Sequence, residues 1–137
     1  MRPNIDLVRE LAAADHGLAV AITIRRNGTP HASVVNAGVL DHPLRPEPVV
    51  GFVARGGTAK LCHLRARPCA TLVFRAGWEW VAVAGVAQLV GPDDTLDGVE
   101  ADNVRLLLRA IFIAAGGQHD DFNEYDRVMA AGTCQAP

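Results

Sequence analysis

The sequence predicts an α+β domain in which a small antiparallel sheet curls into a closed or split barrel with flanking helices. Three observations carry this. Five apolar stretches of strand length run through residues 18–90, most of them separated by Gly, Pro or Asn turns. A single short helical segment, residues 58–67, interrupts them. A longer apolar stripe at helical spacing, Val104, Leu107, Leu108 and Ile111, comes only after the last strand. Successive strands with helices gathered at the ends favour α+β over alternating parallel units, and closure removes the edges a small sheet would expose.

Each element has a local reason. Asn4 is placed to cap a first helix with Leu7, Val8 and Leu11 on one face, and Gly17 ends the segment after it. Residues 18–26 read as a strand, Asn27-Gly28 as a two-residue type I′ turn, and residues 30–40 as the partner strand. Asn27-Gly28-Thr29 also fits a glycosylation acceptor, but nothing else points to secretion, so the turn reading takes precedence. Pro43, Pro46 and Pro48 make residues 41–48 a loop. Residues 49–54 form the third strand, and residues 58–67 the short helix, which Pro68 closes. Residues 69–74 are the fourth strand, Ala76-Gly77 a turn, and residues 80–90 a long fifth strand. Trp78 and Trp80 share a parity, which places both on one side. Gly116-Gly117 breaks the late helix, and Asp120 or Asp121 starts a last one running to about Met129. With no repeats or linkers, residues 1–137 read as one domain.

Composition excludes several function classes. A net charge of −2 gives no basic stripe, which argues against nucleic acid. The start of the chain is too charged for a signal peptide and no 18-residue apolar run exists, so a soluble, cytoplasmic protein off the membrane is expected. Cys62, Cys69 and Cys134 leave one thiol over in any pairing, which suits a reducing compartment and reads as small buried hydrophobes. His119-Asp120-Asp121 has no second His or Cys at ligand spacing, so an acidic helix cap is expected there and no metal. No Ser-His-Asp order, activated Cys or Walker motif is present, and no catalytic residue is assigned.

The chemistry concentrates in Arg55-Gly56-Gly57-Thr58-Ala59-Lys60. A strand breaks there at a Gly pair and enters a helix at a hydroxyl residue, with a guanidinium before and an ammonium after. Helix N-termini carry unpaired N–H groups and partial positive charge, and paired glycines let a ligand approach the backbone closely. The expected ligand is a phosphorylated cofactor, against the plainer reading of Arg55 and Lys60 as solvated charges. Lys60, His63 and Arg67 share one helix face, with Leu61 and Leu64 towards the barrel and Arg65 on the surface. His63 reads either as a further anion contact or as structural filler.

These pieces, in their order and spacing, resemble a known family. They are the hairpin of residues 21–35, the Arg55 to Lys60 segment, Leu64-Arg65-Ala66-Arg67-Pro68, the strand of residues 80–90 and the helix of residues 119–129. The chain resembles the split β-barrel flavin-binding superfamily that includes pyridoxamine-phosphate oxidase, and within it the actinobacterial branch that uses the deazaflavin coenzyme F420. The resemblance spans about residues 15–130. It implies an FMN-binding split barrel-like fold and a homodimer with cofactor at the subunit interface. It puts the phosphate-bearing tail on Arg55, Gly56, Gly57, Thr58, Ala59 and Lys60, and the ring beside His31, Ser33, Val35 and Asn36. Trp78 and Trp80 sit where such proteins contact cofactor from the other subunit; packing in a core or interface is the plainer alternative. His31 is either an outward polar strand position or a contact at the ring's reactive edge. Relatives carry Asn where this chain has His63, and residues 130–137 lack their closing strand pattern.

The expected function is an oxidoreductase that binds coenzyme F420 and passes a hydride to a planar conjugated small molecule. The alternatives are an FMN-dependent oxidoreductase, a non-catalytic F420 carrier, or a haem-binding split barrel with His31 or His63 as iron ligand.

Overall fold

The computed structural model describes residues 5–55, 58–91, 94 and 97–117. In chain order the elements are α1 (Ile5–Ala14), β1 (Leu18–Ile24), β2 (Pro30–Asp41), β3 (Pro48–Phe52), α2 (Ala59–Ala66), β4 (Cys69–Ala76), β5 (Glu79–Val86) and α3 (Ala101–Ala114). The strands form one antiparallel sheet in the order β3-β2-β1-β4-β5, with β1 at its centre. α2 is the crossover that carries the chain from the β3 edge to β4. Among the described residues no helix is long and apolar enough to cross a membrane.

Alternation sorts the sheet into two faces. Ala19, Ala21 and Thr23 of β1 are buried, and the register sets them beside Val35, Ser33 and His31 of β2. Leu72 and Phe74 of β4 lie against Ala21 and Ala19 on the same face. α1 drives Val8, Leu11 and Ala12 onto one end of that face, and with Val35, Ala37, Phe74 and Val81 they form the core. The opposite face carries Leu18, Val20, Val34, Trp80 and Val86, all large and exposed. α3 covers only the β2–β3 part of it. Gly38 permits that close approach, because a Cβ there would meet the Ala114 carbonyl oxygen at 2.1 Å.

Several turns differ from the sequence expectation. The first hairpin closes through three residues, with Gly28 N–H donating to Arg25 O (2.9 Å) and Arg25 N–H to Thr29 O (2.8 Å). Gly28 has positive φ and Asn27 does not, which excludes type I′ and fits a type I turn followed by a bulge. The second hairpin turns on Gly77-Trp78, because Ala76 still pairs with Glu79 in the ladder. Trp78 is thereby a fully exposed turn residue and does not share a strand face with Trp80. β5 ends at Val86, so residues 87–90 are not strand. Cys62 is disulfide-bonded and Cys69 is free and exposed, which corrects the reading of the cysteines as small buried hydrophobes. The Asn4 cap, the last helix and the altered ending from residue 130 lie outside the described residues.

Candidate functional site

At the end of the inner face away from α1, β1, β2 and α2 bring three polar side chains together. Thr23 and His31 are cross-strand partners, and His63 reaches them from α2. Thr23 Oγ1 and His63 Nδ1 are 2.9 Å apart and both residues are buried. The His31 and His63 rings meet edge to face, with centroids 5.1 Å apart. Arg67 closes this end of α2: its Nε donates to Ile24 O at 3.0 Å. Arg25 Nη1 donates to Pro30 O at 2.6 Å.

Burial first, then the neighbouring His31, Arg25 and Arg67, hold the His63 imidazole below the usual histidine range. His63 is 3% exposed and is accommodated as a neutral ring. The unfolded chain therefore binds a proton at His63 that the folded chain resists. Its contribution to stability is full above pH 6.5, its ordinary value, and is lost as pH falls from there through the lowered folded-state value. Denaturant titrations between pH 8 and pH 5 should show stability falling faster in the parent than in His63→Gln. Parallel curves would mean that His63 does not carry this dependence.

Among the described residues, three buried polar atoms have no hydrogen-bond partner: His31 Nδ1 and Ser33 Oγ on β2, and Thr58 Oγ1 at the start of α2. His31 and Ser33 lie two apart on β2 and face the same way. Thr58 holds the N-cap position of α2 (φ −73°, ψ 148°), but its hydroxyl makes no capping bond. The expected hydroxyl cap is thus not formed, and the oxygen has no partner among the described residues.

The structure distributes the other predicted residues unevenly. Arg55 is exposed beyond β3, Ala59 opens α2 exposed, and Lys60 is half-buried in its first turn. Gly56 and Gly57 lie outside the described residues. Val35 is part of the core, packed with α1. Asn36 faces the opposite side from His31 and Ser33, and its amide donates to His16 O at 3.0 Å. Trp78 and Trp80 lie by the β4–β5 turn, 100% and 65% exposed. Arg65, expected as a plain surface charge, makes a bidentate pair with Asp94, at 2.8 Å from Nε and 2.7 Å from Nη2. That bond holds the Asp94 carboxyl below its usual range.

Sequence reasoning missed Thr23 and Asp94. The signal for Thr23 was a hydroxyl at an inward position of an otherwise apolar strand, which requires a buried partner. Asp94 had no local signal, since its partner is 29 residues away.

A separate cleft of about 250 Å³ lies between β3, α2, α3 and residues 87–91. None of the described residues among the predicted cofactor contacts lines it.

No known family and no curated protein matches the sequence. Solved structures do share its fold. The conserved hypothetical protein Rv2991 from Mycobacterium tuberculosis superposes with a TM-score of 0.62 at 16% identity, over 95% of this chain and 76% of that one. A pyridoxamine 5'-phosphate oxidase-related, FMN-binding protein from Nostoc punctiforme gives 0.57 at 14% identity, over 89% and 75%. HutZ, the haem storage protein from Vibrio cholerae, gives 0.51 at 15% identity, over 88% and 85%. At such identities the likeness speaks for the fold alone. The described residues form a five-stranded antiparallel half-barrel with three helices, the split-barrel fold of pyridoxamine 5'-phosphate oxidase-like proteins.

Proposed function

We propose that this protein is an oxidoreductase that binds a phosphate-tailed tricyclic cofactor and passes a hydride to a flat, conjugated small molecule. Coenzyme F420 is preferred over flavin mononucleotide. One observation carries the reading. Among the described residues, the buried side-chain atoms without a partner belong to His31, Ser33 and Thr58, all expected from the sequence and its family resemblance as cofactor contacts. An unsatisfied buried polar atom costs about 1–3 kcal/mol, so three of them on β2 and at the start of α2 favour an external partner.

The residues present fit such a group. The Thr58 hydroxyl is suited to donate to a phosphate oxygen, with Arg55 and Lys60 supplying charge. Each charge-assisted bond is worth about 1.5–3 kcal/mol. Ser33 Oγ and His31 Nδ1 offer hydrogen bonds to heteroatoms of a ring. The His63 ring, fixed by Thr23, packs edge to face against the His31 ring. The bound cofactor supplies the hydride chemistry, while the protein binds the tail, orients the ring and shapes a dry pocket. No side chain is assigned as a general acid or base.

The outer sheet face supports a homodimer. Leu18, Val20, Val34, Trp80 and Val86 leave a large apolar surface that a second copy would cover, with cofactor at the interface as the resemblance implies.

A haem carrier is the second reading, favoured by the fold likeness to a haem storage protein and by the His31–His63 pair. His31 suits an iron ligand better than His63, which is only 3% exposed. Titrating the purified protein with F420, flavin mononucleotide and haem side by side tests both readings. Saturable binding tightest for F420, in a dimer by light scattering, is the expected result. Equal or tighter binding of flavin mononucleotide would remove the deazaflavin preference, and tightest binding of haem would replace the enzyme with the carrier. A monomer binding cofactor undiminished would remove the interface site.

A further inference from the structure

The α1 end and the β3 edge of this half-barrel are finished differently. α1 seals its end of the sheet, and Val8, Leu11, Val35 and Phe74 are buried. Along the edge strand β3, Val49, Val50, Phe52, Leu61, Leu107 and Ile111 remain only half-buried around the 250 Å³ cleft. Protein interiors are close-packed, and native voids of this size are few. An apolar cavity of about 150 Å³ is enough to take benzene, so this cleft has room for a two-ring molecule.

The polar side chains on its wall decide what kind. Arg65 is neutralised by Asp94 through two short bonds. His42 Nδ1 accepts from Leu44 N–H (3.0 Å), which leaves its Nε2–H to donate to Gln88 Oε1 (2.8 Å). These groups are paired with one another, so a charged ligand entering here would lose hydration without gaining a counter-ion. An uncharged apolar molecule loses nothing of the kind and buries its surface against valine, leucine, isoleucine and phenylalanine side chains.

We propose that the cleft between β3, α2, α3 and residues 87–91 is a second small-molecule site, selective for an uncharged, apolar compound of about two fused rings. Among the described residues it shares none with the proposed cofactor site, and its test needs no cofactor. The two readings therefore stand or fall separately.

The test uses the full chain with methyl groups labelled for NMR and two matched probes, 1-naphthol, uncharged at neutral pH, and 1-naphthoate. The expected result is saturable shifts from 1-naphthol confined to methyls of Val50, Leu61, Leu64, Leu107 and Ile111. Binding of 1-naphthoate should be weaker by about tenfold or more, as expected for a charge desolvated without a partner. Leu61→Phe, which fills the cleft, should weaken 1-naphthol by a similar factor while leaving the fold intact. No saturable shifts, shifts centred elsewhere, or equal affinity for the two probes would each overturn the proposal. The parent spectra decide it even if Leu61→Phe does not fold.

Discussion

Lys60→Met should weaken coenzyme F420 binding roughly 10- to 150-fold, the equivalent of about 1.5–3 kcal/mol for one charge-assisted contact to phosphate. The substitution keeps the length of the stem and the helix propensity of the first turn of α2 and removes only the ammonium. Arg55→Met should act similarly if both cations converge on one tail. Arg65, on the same helix, is tied to Asp94, so its loss would disturb the cleft wall as well as the charge. Arg9, exposed on α1 and paired only with Asp6 among the described contacts, is the better comparison, and Arg9→Met should leave affinity unchanged. Without cofactor the melting temperature of Lys60→Met should hardly move. With cofactor at about a hundred times its Kd the parent gains about 2.7 kcal/mol of stability, and the variant should gain less at the same concentration. Unchanged affinity in both Lys60→Met and Arg55→Met would place the anionic tail elsewhere and remove the phosphate half of the proposed function.

The parts of the molecule that were legible in the sequence are those governed by local rules. The strands β1 and β2 were legible as apolar runs bounded by turn residues. Their register was not, since a two-residue Asn27-Gly28 turn pairs Arg26 with Thr29 whereas the ladder pairs Ile24 with Pro30. The α3 stripe was visible from its helical spacing. Turn details were not, because Arg26-Asn27-Gly28 satisfies both a two-residue and a three-residue loop until hydrogen bonds choose between them. Trp78 shows the cost of a one-residue offset: an aromatic next to a strand reads as strand, yet Gly77 places it in the turn and in solvent. Residues 87–90 are apolar enough to continue β5 and leave the ladder instead.

The candidate site divides along the same line. Thr58 stood out by type and position, His31 and Ser33 entered through the family resemblance, and their atoms without a partner among the described residues are a property that only coordinates reveal. Val35 and Asn36 entered as neighbours on β2 and were parted by the core on one face and by His16 on the other. The Thr23–His63 and Arg65–Asp94 bonds join segments 40 and 29 residues apart. Such pairs depend on how α2 packs against the sheet, which no local pattern specifies.

Phe74→Ala should be the most damaging single core change, costing about 3–5 kcal/mol, in the range measured for buried aromatic truncations. Phe74 is 0% exposed and belongs to the cluster that includes Val8, Leu11, Ala19, Ala37 and Val81. Its neighbours come from α1 and three strands, so they cannot all collapse into the space without breaking the register of Ala19 with Phe74. The lost surface and the residual cavity therefore add. For a chain of this length each kcal/mol corresponds to about 3–4 °C, so the melting temperature should fall by roughly 10–20 °C. Phe74→Leu should recover more than half of that loss, because it refills most of the volume with apolar atoms. The functional consequence is equally specific. Phe74 lies under α1, at the far end of the inner face from His31 and His63, so the folded fraction of Phe74→Leu should bind cofactor as the parent does. Calorimetry and cofactor titration on the same samples separate the two effects. A drop of only a few degrees in Phe74→Ala would show that α1 is not the seal of the core, and a loss of affinity in well-folded Phe74→Leu would show that the two ends of the sheet are coupled.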